Sequence, residues 1–181
     1  MKRRSLMRAA IAGPIALGAG PATAQTPGGS AKTYVLVPGN FCGGWFMGPL
    51  AEELRAKGHR AFTPTNTGVG ERKHLLSRDI VLDTFIIDVM NVIEAEELSD
   101  VILVGHSLGG LTVTGVADRM PDRIRHLVYL DAVLIESGQT LLDSFSPEAA
   151  AARRKAAQEL NGVAVFMPPS GGAIPKDPVL A

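Results

Sequence analysis

Apolar residues along this chain follow two rhythms. Thr33-Tyr34-Val35-Leu36-Val37, Val101-Ile102-Leu103-Val104 and His126-Leu127-Val128-Tyr129-Leu130 are short, nearly unbroken apolar runs. Such runs predict strands covered on both faces, as in a parallel sheet. Arg60–Thr63 predicts a shorter strand of the same sort. Between these runs the spacing changes to that of helices. Trp45 to Lys57 carries apolar residues at 46, 47, 50, 51 and 54, with Gly58 as a stop. Asp79 predicts the cap of a long helix whose apolar face includes Leu82, Phe85, Ile86, Val89, Met90 and Ile93. Leu108–Arg119 predicts a third helix after a tight turn, and Thr65–Arg72 a polar loop. Strand and helix in alternation predict an α/β fold, a doubly wound and mostly parallel sheet of about four strands.

The two ends depart from this pattern. Lys2, Arg3, Arg4 and Arg8 precede a weakly apolar stretch, and Ala22-Thr23-Ala24 supplies a small-x-small cleavage pattern. Residues 1–24 therefore read as a signal peptide, and Arg3-Arg4-Ser5-Leu6-Met7-Arg8 points to the twin-arginine route. The expectation is an exported protein, periplasmic or secreted. Residues 25–32 read as a linker, 33–140 as the core and 141–181 as a partial cap. Pro147–Leu160 predicts an alanine-rich helix with Arg153, Arg154 and Lys155 on a solvated face.

Composition narrows the function. Among 181 residues, 18 basic and 18 acidic side chains leave no net charge, which disfavours nucleic acid as a partner. One cysteine excludes a disulfide framework and a zinc site built on paired cysteines. No apolar run reaches the roughly 18–20 residues of a membrane span.

The chemistry centres on Gly105-His106-Ser107-Leu108-Gly109-Gly110. G-x-S-x-G alone is a weak pattern, but here it follows a strand and opens a helix, the setting of a nucleophile elbow. The turn strains the serine backbone, and side chains at the flanking glycines would meet the neighbouring strand and helix. Ser107 is thereby lifted above the sheet edge at a helix N-terminus, where free N–H groups favour a developing oxyanion. Pro38-Gly39-Asn40-Phe41-Cys42-Gly43-Gly44-Trp45 follows the first strand. In an elbow of this type one oxyanion donor is the N–H after the nucleophile, here Leu108, and the other comes from this earlier loop, where Asn40 is the candidate.

These segments, with Leu54–His59 and His126-Leu127-Val128-Tyr129-Leu130-Asp131-Ala132, resemble the α/β-hydrolase superfamily. The resemblance is to its branch of hydroxynitrile lyases, plant methyl esterases and salicylate-esterase-like bacterial proteins, over about residues 33 to 145. Pro38 stands where many members have histidine. The resemblance implies a triad acid after this strand or the next, which makes Asp131 a candidate. It also implies at least six strands, so that four suggest a chain ending inside its cap.

The base is the difficulty. Chain order in this fold is Ser, acid, His, and only His126 follows Ser107. It starts the strand that Asp131 ends, roughly 15 Å from the reactive edge at about 3.3 Å per residue. His106 should be aimed away by the turn, and His59 and His74 precede the serine. The expectation is a histidine beyond residue 181 and little activity without it. Cys42 reads as a small buried filler. The leading reading is a serine hydrolase of small carboxylic esters needing no cofactor and no metal. A C–C lyase on the same fold and a non-catalytic binding module are its rivals.

Overall fold

The computed structural model describes residues 30–159. Residues 1–24 read as a signal peptide, most of the segment read as a linker, and residues 160–181 of the segment read as a partial cap lie outside the described residues.

Four parallel strands form one sheet: β1 (Thr33–Val37), β2 (Arg60–Phe62), β3 (Val101–His106) and β4 (Ile124–Leu130). Their order is β2-β1-β3-β4. The register sets Tyr34 against Ala61, Val35 against Leu103, and Leu103 against Leu127. Helices α1 (Gly48–Ala56), α2 (Leu82–Ala95) and α3 (Gly109–Arg119) connect them, and α4 (Pro147–Glu159) follows the sheet.

The period of two along the central strands divides the core. Val35, Val37, Val101 and Leu103 pack with Ile86, Val89 and Ile93 of α2 and Val113 and Val116 of α3. Leu36, Ile102 and Val104 project from the opposite face onto Met47, Ala51 and Ala61. The sheet is thus doubly wound, with α1 on one side and α2 and α3 on the other. Burial of each large aliphatic side chain contributes about 1.5–3 kcal/mol. Both faces of β1 and β3 are needed, which is why they read as continuous apolar runs.

Several boundaries differ from the sequence expectation. The single helix expected over Trp45–Lys57 is a 3-10 turn at Gly44–Met47 followed by α1. Pro49 lies in the first turn of α1, where an absent N–H costs no helical bond. Asp79 does not cap α2. The helix starts at Leu82, and Thr84 Oγ1 accepts the Val81 N–H at 3.2 Å. A 3-10 helix, Gly70–Leu75, enters the segment read as loop. The start of β4 lies two residues earlier than expected, at Ile124.

β4 is the outer strand beyond β3. Val128, Tyr129 and Leu130 are 40%, 37% and 44% exposed, against 0% for Leu103 on the strand beside them. Its outer edge is unpaired among the described residues.

Candidate active site

All four strands are parallel, so their C-terminal ends share one edge of the sheet. There β1 ends at Val37 opposite Gly105, and β3 ends at His106 opposite Leu130. Ser107 is the next residue. Its φ of +52° is a left-handed conformation, strained for a residue with a side chain by about 1–3 kcal/mol. Neighbouring backbone holds it there. The Ser107 N–H donates to the Leu130 carbonyl at 3.3 Å, and the Ser107 carbonyl accepts from Gly110 at 3.1 Å and Val133 at 2.8 Å. α3 begins two residues later at Gly109, so the serine stands at its N-terminus. A Cβ on Gly109 would come within 2.7 Å of the Pro38 carbonyl oxygen and 2.8 Å of that of Val37.

The loop after β1 lies directly beside the serine. A Cβ on Gly39 would approach the Ser107 Cβ to 2.8 Å. Glycine is therefore required here for close approach, and the left-handed residue of the loop is Phe41, at φ +67°. The Asn40 and Leu108 N–H groups donate to no hydrogen-bond acceptor among the described residues, and both residues line the same cavity.

That cavity has a volume of about 450 Å³. Leu76, Ile80, Leu82, Phe85 and Ile135 give it apolar walls, and Asn66 and Thr112 add polar groups. The loop bearing Asn66 is clamped on both sides. Thr65 Oγ1 accepts the Gly44 N–H at 2.6 Å and donates to Glu71 at 2.5 Å, while Arg72 donates to the Thr65 carbonyl at 2.8 Å. Asp88 of α2 accepts the Thr67 N–H at 2.6 Å and its hydroxyl at 2.9 Å. The Thr65 hydroxyl beside Glu71 holds its carboxyl below the usual carboxylate range, with its own backbone N–H helping. None of Thr65, Asn66, Glu71 and Asp88 was singled out by the sequence. Their partners lie 6 to 21 residues apart, a separation that periodicity does not register.

Asp131 follows β4 at the same sheet edge, with φ +44°, and is exposed. Its carboxylate has no hydrogen-bond or ionic partner among the described residues. No histidine is joined to Ser107. His106 stacks on Phe46 with ring centroids 5.2 Å apart, and its buried Nδ1 has no hydrogen-bond partner. His59 sits at the far end of the sheet, where its Nδ1 accepts the Lys32 N–H at 3.4 Å. His126 pairs with Ile102 near the start of β3, and His74 is exposed in the 3-10 helix. Cys42 is half-buried rather than fully buried as expected, and desolvation pushes its thiol up, away from the nucleophilic thiolate. Among the described residues no group of three or more His, Cys, Asp or Glu could hold a metal ion.

Residues 34–179 match the alpha/beta hydrolase family. The chain belongs to the α/β-hydrolase family. Within it, a carbendazim hydrolyzing esterase of Nocardioides sp. (strain SG-4G) is 56% identical over 109 residues, covering 60% of this chain and 45% of that protein. A putative chloroplastic methylesterase 14 of Arabidopsis thaliana is 32% identical over 126 residues, 68% of this chain and 36% of the relative. Among solved structures, an extracellular α/β-hydrolase from a Paenibacillus species superimposes with a TM-score of 0.68 at 30% identity. The match covers 76% of this chain and 55% of the other. That hydrolase is described as sharing structural and functional homology with tobacco salicylic acid binding protein 2. The esterase-like branch expected from the sequence is the one found. This α/β-hydrolase chain spans under half the length of the two curated relatives.

Proposed function

We propose that the protein to which this chain belongs is a serine esterase of small carboxylic esters. Ser107 is its nucleophile and the Asn40 and Leu108 N–H groups are its oxyanion donors. In this reading Ser107 Oγ adds to the acyl carbon while a base takes its proton. The carbonyl oxygen, now negative, lies between the two amides. Collapse expels the alcohol, which takes up the proton, and water then releases the acid from the acyl-serine. Asp131 is the candidate to orient and stabilise the base.

One observation carries the reading: a serine held in left-handed backbone, next to Asn40 and Leu108, two residues with unengaged N–H groups that line one cavity. Backbone strain of this kind persists only where surrounding structure enforces it, and unused amides beside a nucleophile suit the charge of a tetrahedral intermediate. The esterases among its relatives support ester hydrolysis over C–C cleavage. They also make carbendazim the first substrate to try.

All four histidines of the sequence are accounted for, and none reaches Ser107. The reading therefore requires a base from outside these 181 residues. Without one, triad chemistry falls by on the order of 10⁴–10⁶ in rate. A fluorophosphonate probe followed by peptide mass analysis tests the nucleophile. Slow, stoichiometric labelling at Ser107, lost in Ser107→Ala, is expected. Labelling elsewhere, or equal labelling of the variant, would sink the assignment. Export through a twin-arginine signal is proposed alongside, and a cleaved N-terminus near Gln25 in the secreted fraction is its test.

A further inference from the structure

Among the described residues, the loop that carries Asn40 is tied to the rest of the fold by one hydrogen bond. Pro38 has no N–H, and the N–H groups of residues 39–43 find no acceptor among the described residues. The Gly44 N–H is the first after β1 to be engaged, and its acceptor is the Thr65 hydroxyl at 2.6 Å. Thr65 is buried. Its single hydroxyl proton goes to Glu71 at 2.5 Å, which leaves an oxygen lone pair for Gly44. Packing closes the same junction. A Cβ on Gly44 would collide with the Thr63 carbonyl oxygen, and one on Gly70 would come within 2.8 Å of the Gly43 nitrogen. The near end of the loop is fixed by the close approach of Gly39 to Ser107. Between these two supports stand Asn40 and Phe41, the latter in left-handed backbone at φ +67°, a conformation that relaxes unless its surroundings enforce it.

We propose that Thr65 is a positioning residue: its hydroxyl, oriented by Glu71, tethers Gly44 and so keeps the strained turn at Asn40 and Phe41, with the Asn40 N–H, in place beside Ser107. The proposal rests on the esterase reading, because it gives one oxyanion donor of that reading its support. Thr65 touches neither the nucleophile nor a substrate in this role. It acts through the backbone of residues 40–44, so what it sets is the aim of an amide rather than the shape of the cavity. An aimed amide serves charge that develops during reaction, and binding before reaction is left as it was.

Thr65→Val keeps the side-chain shape and removes both hydrogen bonds, whereas Thr65→Ser keeps the hydroxyl. Fluorophosphonate labelling of Ser107, followed over probe concentration, gives a saturating rate and a half-saturating concentration. Thr65→Val should lower the saturating rate by about tenfold or more and leave half-saturation within about twofold. Thr65→Ser should bring the rate back to within about threefold of the parent. Ile93→Val loosens the core in the last turn of α2. It should lower the melting temperature and leave the rate unchanged, which separates positioning from loss of stability. In an amide NMR spectrum the Asn40 resonance should shift or broaden in Thr65→Val and return in Thr65→Ser. If Thr65→Val does not fold, Glu71→Ala, at an exposed position, takes its place with the same direction expected in both readouts. A parent-like rate and Asn40 resonance in the variant, no restoration by Thr65→Ser, equal slowing in Ile93→Val, or unfolding of both Thr65→Val and Glu71→Ala overturns the proposal. A parent chain left unlabelled at Ser107 overturns the esterase reading instead, and the Asn40 resonance then decides the positioning alone.

Discussion

The Val133 N–H donates to the Ser107 carbonyl at 2.8 Å, so the segment leaving β4 is tied to the left-handed turn at Ser107. That bond links Asp131, two residues earlier, to the same rigid unit. It also explains how a left-handed serine survives: its carbonyl is fixed from α3 and from β4 at once. Val133→Pro removes the donor. We expect a loss of about 1–3 kcal/mol in unfolding free energy and slower fluorophosphonate labelling of Ser107. Thermal unfolding and timed mass analysis check both.

The strain at Ser107 predicts a trade between stability and chemistry. Ser107→Gly should abolish labelling and raise unfolding free energy by about 1 kcal/mol, because glycine adopts positive φ without steric cost. Denaturant titration of the two chains measures the difference. A Ser107→Gly chain of lower stability would show that the turn is not strained.

Gly39 and Gly109 predict different outcomes for the same added methyl group. At Gly39 the methyl meets the Ser107 Cβ at 2.8 Å and the His106 carbonyl at 3.3 Å. Gly39→Ala should displace the loop carrying Asn40, leaving the chain folded and labelling at least tenfold slower. At Gly109 it meets the backbone oxygens of Pro38, at 2.7 Å, and of Val37 at the end of β1, at 2.8 Å. Neither can give way without disturbing the sheet, so Gly109→Ala should cost about 1–3 kcal/mol. Circular dichroism melts beside labelling rates distinguish the two.

The clamp on the Thr65 loop has a defined pH dependence. Glu71 has its carboxyl lowered from the ordinary 4.5, first by the Thr65 hydrogen bond. A carboxylate lowered on folding stabilises fully above its unfolded value, and that contribution is lost as pH falls through the folded one. The loop should therefore be fully clamped at neutral pH and loosen only below the usual carboxylate range. Hydrogen exchange at the Gly44 amide, whose acceptor is Thr65, should quicken there. Glu71→Gln should remove this dependence.

The outer face of β4 predicts self-association. Val128, Tyr129 and Leu130 are each more than a third exposed on an edge that has no strand partner among the described residues, the kind of edge that recruits other chains. Val128→Lys should lower the concentration-dependent association of this chain, read by light scattering, with little change in its melting temperature.

The fold was legible where one physical rule acted alone. β1 and β3 are buried on both faces, so their sequences are apolar without a break, and the order of strand and helix followed from them. The tight turn at Ser107 was legible because an elbow needs glycine at fixed offsets, and the close approaches at Gly105 and Gly109 give those offsets their reason. Local competition defeated other expectations. Asp79 is a good cap by type, yet Thr84 satisfies the Val81 N–H and α2 starts later. Asn66 was not legible at all. Its distinction is an unpaired amide in a loop held by residues from α2 and the 3-10 helix, which only the assembled chain displays.

The parallel sheet has a practical corollary. Every strand points its C-terminal end toward Ser107, so the opposite rim, with Lys32, His59, Asp100 and Arg123, is remote from that edge. A fluorophore, affinity handle or tether joined at Gly58 or Asp100 would report on the molecule without crowding the cavity lined by Asn40 and Leu108.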